Sequence, residues 1–420
     1  MRILLLNQAF YPDVASTAQH ASDLARALVQ RGHRVTVVCS RSAYDDPSVR
    51  FPRSEDWQGI RIQRVSGTGF GKSTRLSRAI DFGTVMVAMF VRVLLLGRVD
   101  LTVAMTSPPL LSFTAAIFSR LRHSKLVLWI MDLNPDQAIA AGWLHAGSRG
   151  ARLLTALLSF SLRCASHVVV LDRFMRDRMI RKGVPRERIA VIPPWSHNEA
   201  VAFDPAGRGR FRAAHGLTGR FVVMYSGNHS PCHPLDTILE AARSVSARVD
   251  IVFCFIGGGS QWVRVKEFAS RHSLRNIVCL PYQPIETLRE SLSSADLHAV
   301  VMGEPFVGII HPCKIYNIVA LGIPFLYIGP SESHIEDLIA DNRLAQASYR
   351  VRHRDVPAAV AGILSAAADP THEVPTLLRT SARFSQNTLV SQFVDLLESV
   401  ATDAGAAPPR APEELSALDR

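Results

Sequence analysis

Residues 1–40, MRILLLNQAF YPDVASTAQH ASDLARALVQ RGHRVTVVCS, decide the fold. The apolar run Arg2–Leu6 breaks at Asn7-Gln8, a Tyr11-Pro12-Asp13 turn follows, and apolar residues then recur at helical spacing to about Gln30. Gly32 supplies the helix stop, and Arg34–Cys39 is a second β-branched run. Strand, helix and strand in immediate succession make a βαβ unit, whose crossover requires parallel strands covered by helices. The run at Met1–Leu6 turns polar too early for a secretory leader, so it reads as a buried first strand.

The same alternation continues along the chain. It predicts further strands at Arg61–Val65, Leu101–Met105, Lys125–Met131, His167–Leu171 and Ile189–Ile192, which with the first two make one doubly wound sheet. Pro193-Pro194 and the polar stretch Trp195 to Arg212 read as a linker. Strands then resume at Phe221–Tyr225, Ile251–Ile256, Ile277–Leu280, Leu297–Val301 and Phe325–Ile328. A chain of 420 residues suits two domains of about 150 to 200 residues each. The expected fold class is therefore α/β, two Rossmann-like domains over residues 1–200 and 201–385, then a C-terminal helix at 386–403 and a disordered tail at 404–420.

Charge divides the chain unevenly. Residues 1–200 hold 27 Lys/Arg against 14 Asp/Glu, and residues 201–420 hold 20 against 22, so +13 faces −2 within the net +11. A basic first half suits nucleic acid, anionic lipid or a phosphorylated acceptor. The aromatic content of 7% forms no stacking platforms, which disfavours nucleic acid. Lys72 to Arg78 is a basic collar before the apolar stretch Phe82 to Leu96, which Arg92 interrupts, so an interfacial anchor is expected there and not a spanning helix. Six scattered cysteines without a C-x-x-C pair point to a reducing compartment.

Four segments carry candidate chemistry. Ala15 and Ser16 open the first helix, where small residues let an anion approach the positive helix end. The turn Ser226-Gly227-Asn228-His229-Ser230-Pro231-Cys232-His233 follows a strand and offers Asn228, His229 and His233 as polar side chains. Cys232, His233, His311 and Cys313 lack the paired spacing of a zinc set, so no metal is expected. Gly257-Gly258-Gly259 allows close approach to a phosphate or base and is expected to open a helix. In Gly303-Glu304-Pro305-Phe306-Val307-Gly308-Ile309-Ile310-His311-Pro312-Cys313-Lys314, a loop leads to a helix start carrying Lys314, which suits a diphosphate.

Taken in order, the opening Y-P-D with LARALVQRGHRVTVV, the S-G-N turn with LDTILEAA, and HPCKIYNIVALGIP resemble the family-four glycosyltransferases, over roughly residues 1 to 400, and within them the branch that builds bacterial surface polysaccharides. The resemblance implies two facing Rossmann-like domains of the GT-B type. The C-terminal one would hold a UDP- or GDP-linked sugar, with no other cofactor, and the N-terminal one the acceptor. It places the base at Pro281-Tyr282-Gln283, the diphosphate and sugar along Gly308 to Lys314, a segment that includes Ile309, Ile310 and Cys313, and the ribose at Asn317, with Glu304 a candidate to substitute for missing family residues. It makes Asp132 part of an acceptor-side loop. It further implies retention of anomeric configuration, metal independence, and a polyprenyl-linked or oligosaccharide acceptor met at the inner face of the cytoplasmic membrane. Two departures stand out: Ile309 and Asn317 occupy the places of the usual glutamate pair, and Asn228 and His233 those of the usual arginine and lysine. Nucleotide-sugar epimerases share the fold but need carboxylates placed for elimination, a set not assembled here. A non-catalytic assembly subunit is the other alternative.

Overall fold

The computed structural model describes residues 1–13, 15–43, 48–68, 75–196, 202–342, 344–371 and 373–402. The expected tail at 404–420 and Lys72 lie outside them, as do the side chains of Arg75 and Arg78. The chain forms two compact units: Met1–Pro193 with the chain from Leu389 onward, and Pro194–Thr388.

The sheet of the first unit contains β1 (Arg2–Leu6), β2 (Arg34–Ser40), β3 (Ser54–Trp57), β4 (Ile60–Val65), β5 (Leu101–Met105), β6 (Lys125–Trp129), β7 (His167–Val170) and β8 (Ile189–Val191). Their order is β3-β4-β2-β1-β5-β6-β7-β8, and every pairing is parallel except β3 with β4. β3 escaped sequence reading because Ser54-Glu55-Asp56-Trp57 lacks an apolar run. It forms because Gln58 and Gly59, at φ 50° and 80°, make the two-residue turn with positive φ that a tight hairpin needs.

The helix Gln386–Ala401 returns to this unit. Phe393 packs edge-to-face on Trp129 of β6 at 4.7 Å between centroids. Glu398 accepts from Arg31 at 3.1 Å and lies 2.8 Å from His33, while Asp395 takes a second Arg31 bond at 2.6 Å.

The second unit carries β9 (Phe221–Asn228), β10 (Ile251–Gly258), β11 (Ile277–Leu280), β12 (Leu297–Val301), β13 (Phe325–Ile328) and β14 (Ser348–Val351). The order is β11-β10-β9-β12-β13-β14, all parallel. Alternate residues of β9 and β10 enter two apolar clusters: Val223, Tyr225, Phe253 and Phe255 in one, Val222, Met224, Val252 and Cys254 in the other. Burial on both faces explains why these strands read as continuous apolar runs.

The stretch taken as a linker contains a helix, Pro205–Ala214. Asp204 caps it by accepting from the Gly207 amide at 2.9 Å, and Pro205 presets its first turn. Arg208 and Arg212 both bond the buried carboxylate of Asp296, which also accepts the Val222 amide at 2.7 Å and so ties the helix to β9. The six cysteines are all free thiols, and burial pushes Cys39 and Cys254 up to about 12, so these two act as small apolar residues. No helix among the described residues is long and apolar enough to cross a membrane.

Candidate functional site

In the second sheet the strand order reverses between β9 and β12, which leaves a crevice at their C-terminal ends. Three glycines shape the β9 and β10 ends there. Gly227 pairs with Gly257, and Asn228 with Gly258, so Gly257 and Gly258 complete β10 and do not open a helix as expected. The next helix starts only at Trp262. A Cβ on Gly257 would lie 2.1 Å from the Gly227 carbonyl oxygen, and one on Gly259 would lie 2.2 Å from the Asn228 side-chain oxygen. At Gly258 a Cβ would stand 3.0 Å from the Tyr282 ring, which packs over this glycine and is otherwise 43% exposed.

Lys314 begins the helix Lys314–Leu321 and reaches back to this edge. Its Nζ sits 3.5 Å from the centroid of the Tyr225 ring, and a Cβ on Gly227 would come 3.2 Å from it. The ammonium is buried and makes no hydrogen bond. Burial pulls its pKa down to about 7, because the charged form has lost its water. The Tyr225 hydroxyl is occupied elsewhere, donating to the Asn228 carbonyl at 2.9 Å.

The histidines of the turn are neutral. His229 is buried between the rings of Tyr225 and Trp262, at 4.9 and 4.7 Å. Burial and then Lys314 pull it down to about 4, against the opposing pull of the Gly227 and Gly258 backbone, and neither ring nitrogen completes a well-formed hydrogen bond. His233 is pulled down to about 3 by burial and by Lys314, and its Nδ1 donates to the Val301 carbonyl at 2.7 Å. A carbonyl can only accept, so the neutral ring keeps its proton on Nδ1 and its other nitrogen is an acceptor. The charge that the sequence reading allowed to these histidines is thus absent from them near neutral pH.

The structure therefore brings Gly227, Asn228, His229, Gly257, Gly258, Tyr282 and Lys314 into one contact set, with His233 joined through the end of β12. Gln283 turns its amide back onto the Pro281 carbonyl at 2.9 Å. Along the segment after β12, Glu304 is exposed, Gly308 adopts φ 67°, and Ile309 and Ile310 bury their side chains. Both isoleucine amides bond the Phe306 carbonyl, at 2.9 and 3.2 Å. Cys313 gives its thiol proton to the His311 carbonyl at 3.2 Å, and Asn317 stands one turn beyond Lys314 on the same helix face. Tyr225, Trp262 and the Val301 carbonyl were missed in the sequence. Tyr225 alone left a signal, as an aromatic residue closing a strand just before a glycine turn.

In the first unit, Ala15 is the residue before the helix Ser16–Gln30, and its amide bonds Asp13 at 3.1 Å. The Ser16 carbonyl oxygen lies 2.7 Å from His20 Nδ1. Asp132 follows β6, and its amide donates to Thr106 Oγ1 at the end of β5 at 3.1 Å. Burial pushes its carboxyl up to about 6.

Residues 17–195 match the family model described as the Glycosyl transferase 4-like domain. The first unit is a glycosyl transferase 4-like domain. The glycosyltransferase is 23% identical over 412 residues to the Escherichia coli K12 protein named "Putative colanic acid biosynthesis glycosyl transferase WcaI", across 94% of this chain and 99% of that one. It is 25% identical over 341 residues to "Probable glycosyltransferase WbjE" of Pseudomonas aeruginosa, across 80% of this chain and 83% of that one. Both relatives are named as glycosyltransferases, and the chain is similar to them along most of its length. Its fold matches that of Anabaena HepE, solved in complex with UDP-glucose, at a TM-score of 0.69 and 16% identity over 95% of this chain and 100% of that one. The glycosyltransferase thus has the GT-B fold, a mixed α/β architecture with one mostly parallel and one parallel sheet flanked by helices.

Proposed function

We propose that the chain transfers a sugar from a uridine- or guanosine-diphosphate donor to a polyprenyl-linked acceptor, at the inner face of the cytoplasmic membrane, in the assembly of a bacterial surface polysaccharide. The observation that carries this reading is the buried ammonium of Lys314, seated on Tyr225 against Gly227 at the switch point of the second sheet. A buried charge without a hydrogen bond is costly, and an anionic ligand relieves that cost. The leaving diphosphate gains negative charge as the glycosidic bond breaks, so Lys314 binds the transition state more strongly than the ground state. Tyr282 offers a ring face to the base, and Asn228 and Asn317 offer amides to the sugar and ribose.

Uridine is favoured by the likeness to HepE, which was solved with UDP-glucose, and surface polysaccharide by the name of WcaI. Asp132 would receive the acceptor hydroxyl. Retention and metal independence belong to the same reading, with Lys314 supplying charge that a divalent cation can otherwise bring to a diphosphate. The test is incubation of purified protein with UDP- and GDP-sugars and a polyprenyl-linked acceptor in the presence of a chelator. Release of nucleoside diphosphate with a glycoside of unchanged anomeric configuration is expected. An epimerised donor would move the chain to the isomerases, inversion would overturn retention, and no turnover with any donor would favour the assembly subunit.

A further inference from the structure

We propose that the outer face of the helix Arg75–Leu94, with the adjoining end of the helix Leu111–Arg122, docks the first unit on an anionic lipid bilayer. Val87, Val91 and Leu95 follow one another at four-residue spacing and are 64%, 50% and 71% exposed, while Met89 and Val93 are fully buried on the opposite side. The helix is therefore apolar on both faces, and one packs against the protein. Its outer stripe is about 12 Å long, since eight residues rise 1.5 Å each.

Leu121, 62% exposed, extends the stripe. The two helix ends are tied together, because the Arg122 guanidinium donates to the Leu94 carbonyl at 2.9 Å. Scattered exposed leucines are ordinary on a soluble protein, but an aligned row at two joined helix ends is not.

Charge identifies the occupant. Residues 72–125 contain eight lysines and arginines against Asp81 and Asp100, and Asp100 is bonded by the Arg2 amide at 2.7 Å. Arg92, Arg98, Arg120 and Arg122 are close in sequence to Val91, Leu95 and Leu121, and Arg122 reaches the Leu94 carbonyl. An apolar strip edged by arginines matches acyl chains beneath anionic headgroups, with guanidinium groups at headgroup level and Leu95 below them. A second protein copy would have to bring these arginines against their own kind. The docking face serves the lipid-linked acceptor and rests on that reading for its purpose, though not for its geometry.

The test is co-sedimentation of the full chain, without donor or acceptor, with vesicles of equal parts phosphatidylcholine and phosphatidylglycerol. Binding is expected there and not to pure phosphatidylcholine. High salt, the double variant V91D/L95D and the double variant R98E/R122E should each lower partitioning at least tenfold. Circular dichroism and melting temperature check the fold of the variants, and the single variant V91D, the milder change, should weaken binding in the same direction. Transfer to a water-soluble acceptor analogue should be unaffected by V91D/L95D. No sedimentation at low salt, equal binding to both vesicles, or a wild-type dimer that V91D/L95D converts to a monomer without altering vesicle binding would each overturn the proposal. Loss of all transfer activity with vesicle binding intact would instead strike the proposed reaction.

Discussion

Asp132 in the first unit and Lys314 in the second both lie beside the C-terminal edge of a parallel sheet, and burial moves them in opposite directions. The carboxyl rises to about 6 and the ammonium falls to about 7. Each is drawn toward its neutral form by loss of water, and neither shift comes from a counter-ion. The supports differ as much as the signs. The Asp132 amide is fixed by one hydroxyl, Thr106 Oγ1, whereas Lys314 is seated on the Tyr225 ring beside Gly227 at the end of β9. One unit presents an acid of adjustable charge, suited to a neutral hydroxyl; the other presents a cation in a tight cradle, suited to a diphosphate.

The cradle can be broken most severely at Gly257. A methyl group there would collide with the Gly227 carbonyl at 2.1 Å, and φ of 135° is itself hostile to any L side chain. Gly257→Ala should separate the ends of β9 and β10, abolish measurable donor binding by calorimetry, and lower the melting temperature by several degrees. The matching change in the first unit, Ala15→Ser, adds an atom at an ordinary helix start and should leave both quantities nearly unaltered. Equal effects at the two positions would remove the distinction between a tight and an open crevice.

The charges can be separated next. Lys314→Met keeps the length of the side chain and removes the ammonium. Donor turnover should fall tenfold or more, on the basis that a charge-assisted bond to phosphate contributes about 1.5–3 kcal/mol. Stability should move the other way, because holding the ammonium dry costs on the order of 4 kcal/mol when 10.5 falls to about 7. A melting temperature higher by roughly 5 °C or more, with weak donor binding, is the expected pair. A variant that loses both stability and activity would show that Lys314 is structural.

Titration sharpens the contrast further. For the free enzyme, kcat/KM for the donor should decline as pH rises through about 7, where Lys314 loses its proton. It should also decline as pH falls through about 6 where Asp132 gains one. Lys314→Arg should remove the basic limb, since a guanidinium stays charged, and Asp132→Asn the acidic one. Stability runs with the opposite signs. Asp132 is raised from 3.8 in the fold, so its contribution is present at low pH and lost as pH climbs toward and through about 6. Lys314 is depressed from 10.5, so its contribution is present at high pH and lost as pH falls toward and through about 7. His233→Gln should leave the basic limb in place, because that ring is already neutral; disappearance of the limb would return the cation role to the histidine.

The difference between the two crevices also marks what a linear sequence discloses. Strands buried on both faces announce themselves, so β9, β10, β12 and β13 begin where their apolar runs begin. β3 does not, since its pairing depends on a turn at Gln58-Gly59 and its residues are polar. The helix Pro205–Ala214 was hidden because its stability comes from Asp296, more than eighty residues away in the chain. Lys314, His229 and Asn228 were visible as polar residues near glycines. Which of them carries charge was not, because protonation here is set by burial among Tyr225, Trp262 and Val301, groups contributed by three separate elements. That Gly257 and Gly258 finish a strand and do not begin a helix follows from their register against Gly227 and Asn228, which no local pattern encodes.

The gentlest probe of the cradle is Tyr282. Its ring covers Gly258 on one side and remains 43% exposed, so it can be removed without opening the core. A nucleotide base laid on the exposed part of the ring would gain stacking worth about 1–3 kcal/mol by alanine substitution in comparable aromatic sites, and the exposed position argues for the lower end. Tyr282→Ala should therefore raise KM for the donor by about three- to tenfold at nearly constant kcat, since the base is bound alike before and during sugar transfer. Tyr282→Phe should restore affinity, because the ring face and not the hydroxyl makes the contact. A fall in kcat with KM unchanged would mean that Tyr282 acts on the reacting centre; a failed rescue by phenylalanine would assign the contact to the hydroxyl. Either result would move the base away from Gly258 and leave Lys314 as the anchor of the diphosphate alone.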